Sequence, residues 1–158
     1  MDENTFTASI DGVNKTFNVS SAALVRSALV DKKRIDIGGI SQDRKYVLIL
    51  SIIEDTSKGD GVTVSQYIVR QINKDDPDTE EDESINSNTI ISLGTYNNLN
   101  ELETDNYVEN GTMSVTDCNE KKHLISGNFS LDMSSRNGGA DYTVTDGAFE
   151  NIHYSVIN

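Results

Sequence analysis

Apolar and polar side chains alternate along much of this chain. The clearest run is residues 125–133, where Ile125, Phe129 and Leu131 take odd positions while serine, asparagine and aspartate take even ones. Because successive side chains of a β-strand point to opposite faces, this pattern predicts a strand with one buried and one solvated face. We predict that it pairs with residues 111–117, the two being joined through the polar residues 119–122.

The N-terminal part repeats this pattern. Residues 6–10 alternate up to the dipeptide Asp11-Gly12, a turn sequence that predicts an opening hairpin. Residues 20–30 are ambiguous, because their alanines and leucines also suit a short helix. The β-branched residues there, and the alternating run 35–37 beyond them, favour a strand and a second hairpin.

The C-terminal part predicts two more strands. Residues 142–147 alternate into Asp146-Gly147, which predicts a turn. Residues 149–156 continue with Ile152 and Tyr154 on one face, so His153 is expected on the other.

Residues 45–53 differ because both of their faces are apolar, as in a strand buried between two layers. Residues 62–69 and 89–93 also predict strands, and the weakly patterned residues 97–109 are expected to cover one end of the fold. The chain is therefore predicted to be all-β: an antiparallel two-layer β-sandwich, with a closed β-barrel as the alternative. We expect a single domain, 1–158, with an exposed acidic loop at 73–88.

Composition supports a folded domain and narrows its partners. The 158 residues are 35% hydrophobic, enough to bury a core. A formal net charge of -13 repels phosphate backbones and anionic headgroups, so we expect no nucleic-acid partner and regard a membrane surface as a poor one. The sequence contains no apolar run long enough to span a bilayer.

Cys118 is the only cysteine, so no disulfide can form within the chain. Its neighbours Asp117 and Glu120 oppose thiolate formation, and a small packing or edge residue is the favoured interpretation.

The acidic loop is the one candidate metal site. Asp76, Asp78 and Glu80 stand at alternate positions, as in a calcium-binding loop, but Glu81 occupies the place where such a loop needs glycine. A solvated loop is the favoured interpretation, Ca²⁺ is the alternative, and no other cofactor is expected.

Catalytic patterns are missing from the sequence. His123 and His153 are the only imidazole bases, and we expect them at a hairpin turn and on an outward strand face. The 26 acidic residues supply many carboxylate pairs of unknown separation, so a hydrolase with carboxylate and histidine chemistry stays an alternative.

Glycan binding is the other alternative, since sugars stack on flat aromatic side chains. Tyr67, Tyr96 and Tyr107 are the candidate ligand-binding residues, with Tyr142 and Tyr154 as further tyrosines, in a chain that has no tryptophan.

Three motifs resemble a known family. They are the strand 111–116, the Ser-Gly-Asn-Phe run 126–129 and the Thr-Asp-Gly-Ala-Phe run 145–149, and residues 6–12 add a similar opening. Together they resemble small gut-bacterial, Bacteroides-type lipoproteins of unknown function, and the acidic insertion 75–83 is the main departure.

The resemblance implies export by a signal peptide and lipidation at a cysteine upstream of this sequence, with residence in the periplasm or at the outer-membrane surface. It supplies no activity and no ligand residues. The function expected from the sequence is a non-catalytic envelope lipoprotein that binds an unknown protein or glycan.

Overall fold

The structure is a computed structural model that describes residues 4–69, 89–96, 102–103, 106–135 and 141–157. None of these residues is in a helix, so the all-β prediction is confirmed. The predicted acidic loop 73–88 lies outside the described residues. Of the stretch 97–109, which we expected to cover one end of the fold, the described parts are a short strand at 102–103 and the start of a long strand at Asn106.

The described residues form eleven strands of one sheet. Their bounds in chain order are β1 Thr5–Ile10, β2 Val13–Ser27, β3 Lys32–Ser41, β4 Tyr46–Glu54, β5 Gln66–Val69, β6 Thr89–Tyr96, β7 Leu102–Glu103, β8 Asn106–Asn119, β9 Leu124–Ser135, β10 Tyr142–His153 and β11 Ser155–Ile157. Hydrogen bonding orders them β5-β8-β9-β10-β1-β2-β3-β4-β6-β7, all antiparallel, and β11 pairs in parallel with β2.

The sheet curls into a half-barrel that is open rather than closed. Its two ends approach each other, because β6 lies close to both β5 and β8. The coarser prediction of an antiparallel all-β fold is therefore confirmed. The choice between a two-layer sandwich and a closed barrel stays a prediction.

Three predicted hairpins are present. Residues Ile10 and Val13 pair across Asp11-Gly12, whose φ values of 51° and 82° are both positive, as a type I′ turn requires. Strands β8 and β9 pair as predicted, although their turn occupies residues 120–123 rather than 119–122. The ambiguous segment 20–30 contributes to strand β2, which pairs with β3.

Strand β4 is only partly covered on its outer face. Leu48, Leu50 and Ile52 face the core and are buried, as predicted. On the other face Val47 and Ser51 are nearly buried, but Ile49 is 43% exposed. The prediction that both faces are buried is therefore wrong at Ile49.

The predicted turn at Asp146-Gly147 is wrong, because β10 continues through it. The register of β10 against β9 shifts between Val144 and Gly147, and Asp146 has a φ of 50°. An extra residue with positive φ in one strand of a ladder is a β-bulge. A second shift in β10 lies between Phe149 and Ile152, with Asn151 at a φ of 51°.

The core is centred on the chain's four phenylalanines. The rings of Phe6 and Phe17 lie 5.3 Å apart, Phe6 meets Phe129 edge-on at 6.2 Å, and Phe129 and Phe149 are 6.4 Å apart. The Phe129 ring rests against Gly147, where a Cβ atom would approach it to 2.4 Å. The face predicted to be buried in residues 125–133 is therefore the face that forms the core, and Ser130 is exposed.

Candidate functional site

A polar cluster holds the segment between β4 and β5 against one end of the half-barrel. Three consecutive carbonyl oxygens of this segment each accept a hydrogen bond from a different strand region. Lys33 Nζ donates to Lys58 O at 2.5 Å, Arg26 Nη2 to Gly59 O at 2.9 Å and Tyr154 Oη to Asp60 O at 2.6 Å. We call these three donors and three carbonyls the clamp. It fixes residues 58–60 to β2, β3 and the end of β10.

Asp60 adds a charged contact to the clamp. Its carboxylate accepts a hydrogen bond from Arg26, and this bond holds the pKa of Asp60 below its usual value. His123 Nε2 lies 3.9 Å from the other carboxylate oxygen, a distance at which a protonated imidazole would form an ion pair. Asp60 is therefore neutralised by Arg26 rather than presented as a free base.

Lys33 is a buried lysine, only 5% exposed. Besides the Lys58 carbonyl it faces Glu54, whose carboxylate oxygen lies 3.5 Å from its ammonium. The other Glu54 oxygen accepts a hydrogen bond from Thr63 N at 2.5 Å. Buried charges need such partners, so this pair links β3 and β4 to the segment above them.

Sequence reasoning missed the clamp, although one pattern indicates it. Lys33 precedes Ile35 and Ile37 at the same alternate spacing, so it occupies an inward position of β3. A charged residue at an inward position predicts a buried partner. The identity of that partner is not contained in the local sequence.

Tyr154 and Cys118 meet beneath the clamp. Tyr154 is fully buried, and its hydroxyl lies 3.6 Å from Cys118 Sγ. Because the only hydroxyl proton is donated to Asp60 O, the thiol is the donor in the second contact. Burial raises the pKa of Tyr154 well above its usual value, so the phenol is a neutral hydrogen-bond donor and not a base.

The two histidines lie beside this cluster. The His123 ring stacks on Tyr154 at 5.5 Å between centroids, and the His153 ring is 6.3 Å from His123. The two positions agree with the prediction, because His123 is in the β8–β9 turn and His153 points outward. Among the described residues, no three His, Cys, Asp or Glu side chains are grouped as metal ligands would be.

A groove of about 570 Å³ lies where β2 bulges against β3. We call it the bulge groove, and it is lined by Asn18, Val19, Ser20, Ile40, Ser41, Gln42 and Arg44. The Ser41 hydroxyl is already used, since it donates to Asp43 and accepts from two backbone amides. Its other polar side chains make no hydrogen bond to any described residue. The groove therefore offers two amides, one hydroxyl and a guanidinium beside two aliphatic side chains.

Of the ligand-binding and metal candidates taken from the sequence, Tyr67 is the one whose side chain the structure describes. Tyr67 is half-buried and donates to Thr63 O at 2.8 Å, and burial raises the pKa of its hydroxyl. Tyr96 lies in β6 and Tyr107 in β8, and their side chains are outside the described ones. Tyr154, being buried, is not available as a sugar platform. The calcium candidates Asp76, Asp78 and Glu80 lie outside the described residues.

Comparisons with known proteins give no relative. No protein-family model, no curated protein and no solved structure matches this chain. Within the described ranges, no helix is both long and apolar enough to cross a bilayer.

Proposed function

We propose that this protein is a non-catalytic module of the bacterial cell envelope that binds a protein or glycan through the bulge groove. The observation that carries the proposal is the groove itself. Its volume is within the range of ligand sites, and it combines Val19 and Ile40 with the unengaged amides of Asn18 and Gln42. The envelope location is supported by the resemblance of residues 111–149 to exported lipoproteins.

Glycan binding is the second candidate, because amides and guanidinium groups suit sugar hydroxyls and carboxylates. Arg44 and Gln42 favour it. The groove lining includes no aromatic side chain, and this favours a peptide or protein ligand over a neutral sugar.

Hydrolysis is the third candidate and is supported least. The groove lining contains neither a histidine nor a carboxylate. The one described pairing of the two, His123 with Asp60, belongs to the clamp, where Arg26 already occupies the carboxylate. For the whole chain we propose the two-layer sandwich, and the approach of β6 to β5 and β8 across the opening supports the closed barrel as the alternative.

The test uses the double variant Asn18→Ala/Gln42→Ala and the control Asn128→Ala, an exposed asparagine on β9. A glycan array and photo-crosslinking from position 42 in envelope extracts would identify ligands. We expect at least tenfold weaker binding of any such ligand by the double variant and unchanged binding by the control.

Two results would contradict the proposal. One is ligand binding that survives the double variant unchanged. The other is steady turnover of ester, glycoside or peptide substrates by the wild-type protein that is lost in His123→Ala.

A further inference from the structure

The turn between β2 and β3 exposes apolar side chains at its tip. Residues 28–30 are Ala-Leu-Val, where Leu29 is 97% exposed and Val30 60% exposed. We call these three residues the hairpin tip. Hairpin turns are normally built from glycine, asparagine or aspartate, and exposed leucine contributes nothing to the stability of the turn. Turn formation therefore does not account for the apolar side chains at the tip.

The tip is held in place from behind. Asp31, next to Val30, has a φ of 48° and accepts hydrogen bonds from Ser57 N and Ser57 Oγ, each at 2.8 Å. These bonds also lower the pKa of Asp31. The turn is therefore fixed in a conformation that keeps both apolar side chains in water.

Further apolar side chains are exposed on the outer face of the sheet, beyond the exposed pair Ser27 and Lys32. Ile157 is paired with Val25, Val25 with Arg34, and Arg34 with Ile53, so these side chains form a row on one face. Ile157 and Val25 are exposed, and Ile53 is partly so.

The charge around the tip is opposite in sign to that of the whole protein. Residues 26–36, 54–60 and 120–123 meet at this end through the clamp and carry seven Lys and Arg against six Asp and Glu. This end is therefore +1, and the rest of a chain of net charge -13 is -14. Lys32 and Arg34, directly behind the tip, are each 55% exposed and lie 3.5 Å from Asp55 and 2.9 Å from Asp36.

We propose that the hairpin tip inserts into an anionic lipid surface, with Lys32, Arg34 and the lysines of the neighbouring turn at the headgroups. Two exposed apolar side chains followed by cations match the layering of a bilayer surface, where acyl chains lie beneath negative headgroups. The overall charge argues against such binding, but the distribution of charge orients the positive end toward the membrane and the negative remainder away from it. This site is separate from the bulge groove.

The chain has no tryptophan, so a tryptophan at the tip is an unambiguous reporter. In Leu29→Trp we expect the emission to shift to the blue when vesicles of phosphatidylcholine with 30% phosphatidylglycerol are added, and to be quenched by brominated lipid. Val13→Trp is the matched control, because Val13 is 55% exposed at the opposite end of β2 and should show neither effect.

Co-sedimentation with the same vesicles gives a second readout. We expect Leu29→Ser/Val30→Ser to bind at least tenfold more weakly than the wild type, Val13→Ser to bind equally, and added salt to weaken binding. The proposal is wrong if the wild-type protein does not bind, if the double variant binds as well as the wild type, or if Val13→Trp responds like Leu29→Trp. If the tip crosslinks to an acidic protein and the wild-type protein does not bind vesicles, the proposal is also wrong, because the partner of the tip is then a protein and not a lipid.

Discussion

Removing one hydroxyl from the clamp is the most direct test of what holds residues 58–60 in place. In Tyr154→Phe the buried ring stays but the donor to Asp60 O is lost, and Cys118 loses its contact as well. A net hydrogen bond is worth about 1 kcal/mol, and leaving a carbonyl without a partner adds to this. We expect the free energy of unfolding to fall by about 1–2 kcal/mol.

Urea unfolding followed by far-UV circular dichroism measures this loss. With a slope of about 2 kcal/mol/M, the midpoint should fall by about 0.5–1 M, and the melting temperature by about 3–6 °C. Tyr46→Phe is the control, because Tyr46 is half-exposed and its hydroxyl bonds to no described residue. An unchanged midpoint in Tyr154→Phe, or an equal loss in Tyr46→Phe, would refute the reasoning.

The same variant has a signature at alkaline pH. Burial raises the pKa of the Tyr154 phenol, whereas in the unfolded chain it ionises near its usual value of about 10. The stability due to the neutral phenol is therefore complete below pH 10 and is lost as the pH rises toward the folded-state pKa. The stability difference between wild type and Tyr154→Phe should shrink as the pH rises above 10, and a difference that stays constant up to pH 11 would contradict the assignment.

Three further predictions concern other parts of the fold. Gly127→Ala would place a Cβ 2.2 Å from Ser114 O and 2.5 Å from the Phe149 ring, so we expect the free energy of unfolding measured in urea to fall by about 3 kcal/mol or more. Gly12 has open space around it, so in Gly12→Ala it should fall by about 1 kcal/mol. Lys33→Met should cost about 3–5 kcal/mol by leaving Glu54 unpaired, and a calorimetric melt should show recovery of part of it in Lys33→Met/Glu54→Leu. The hydrogen bond from Lys15 holds the pKa of Asp43 well below its usual value, so the stability that ionised Asp43 contributes is present above pH 4 and is lost as the pH falls. In Asp43→Asn the free energy of unfolding should therefore fall less steeply than in the wild type between pH 5 and pH 2. Parallel profiles for the two proteins would refute this.

The alternation of apolar and polar residues predicts strands and hairpins well here, because it indicates which face of each strand is buried. Phe129 and Leu131 could be assigned inward, and Asp11-Gly12 could be identified as a turn, from local residues alone. The same dipeptide at Asp146-Gly147 is a bulge, because a positive φ suits both structures and only the neighbouring strand decides between them.

The clamp could not be predicted from the sequence because its partners are far apart. Lys33 and Lys58 are 25 residues apart and Tyr154 and Asp60 are 94 apart, and no local pattern joins them. The hairpin tip could not be predicted for a different reason. Alternation in residues 20–30 favours a strand up to Val30, whereas the structure ends β2 at Ser27 and places Leu29 and Val30 in an exposed turn before Asp31, whose φ is positive.

The two bulges also determine where β10 can gain or lose a residue without disturbing the core. Inward positions of β10 fall at Val144, then Gly147 and Phe149, then Ile152. Each bulge changes which residues of the strand face the core, whereas in a regular strand the gain or loss of one residue would reverse every side chain beyond it. Gains and losses of single residues should therefore be tolerated at Asp146 and Asn151 more readily than elsewhere in β10, so that this strand can differ in length among descendants of one ancestor while the same core is kept.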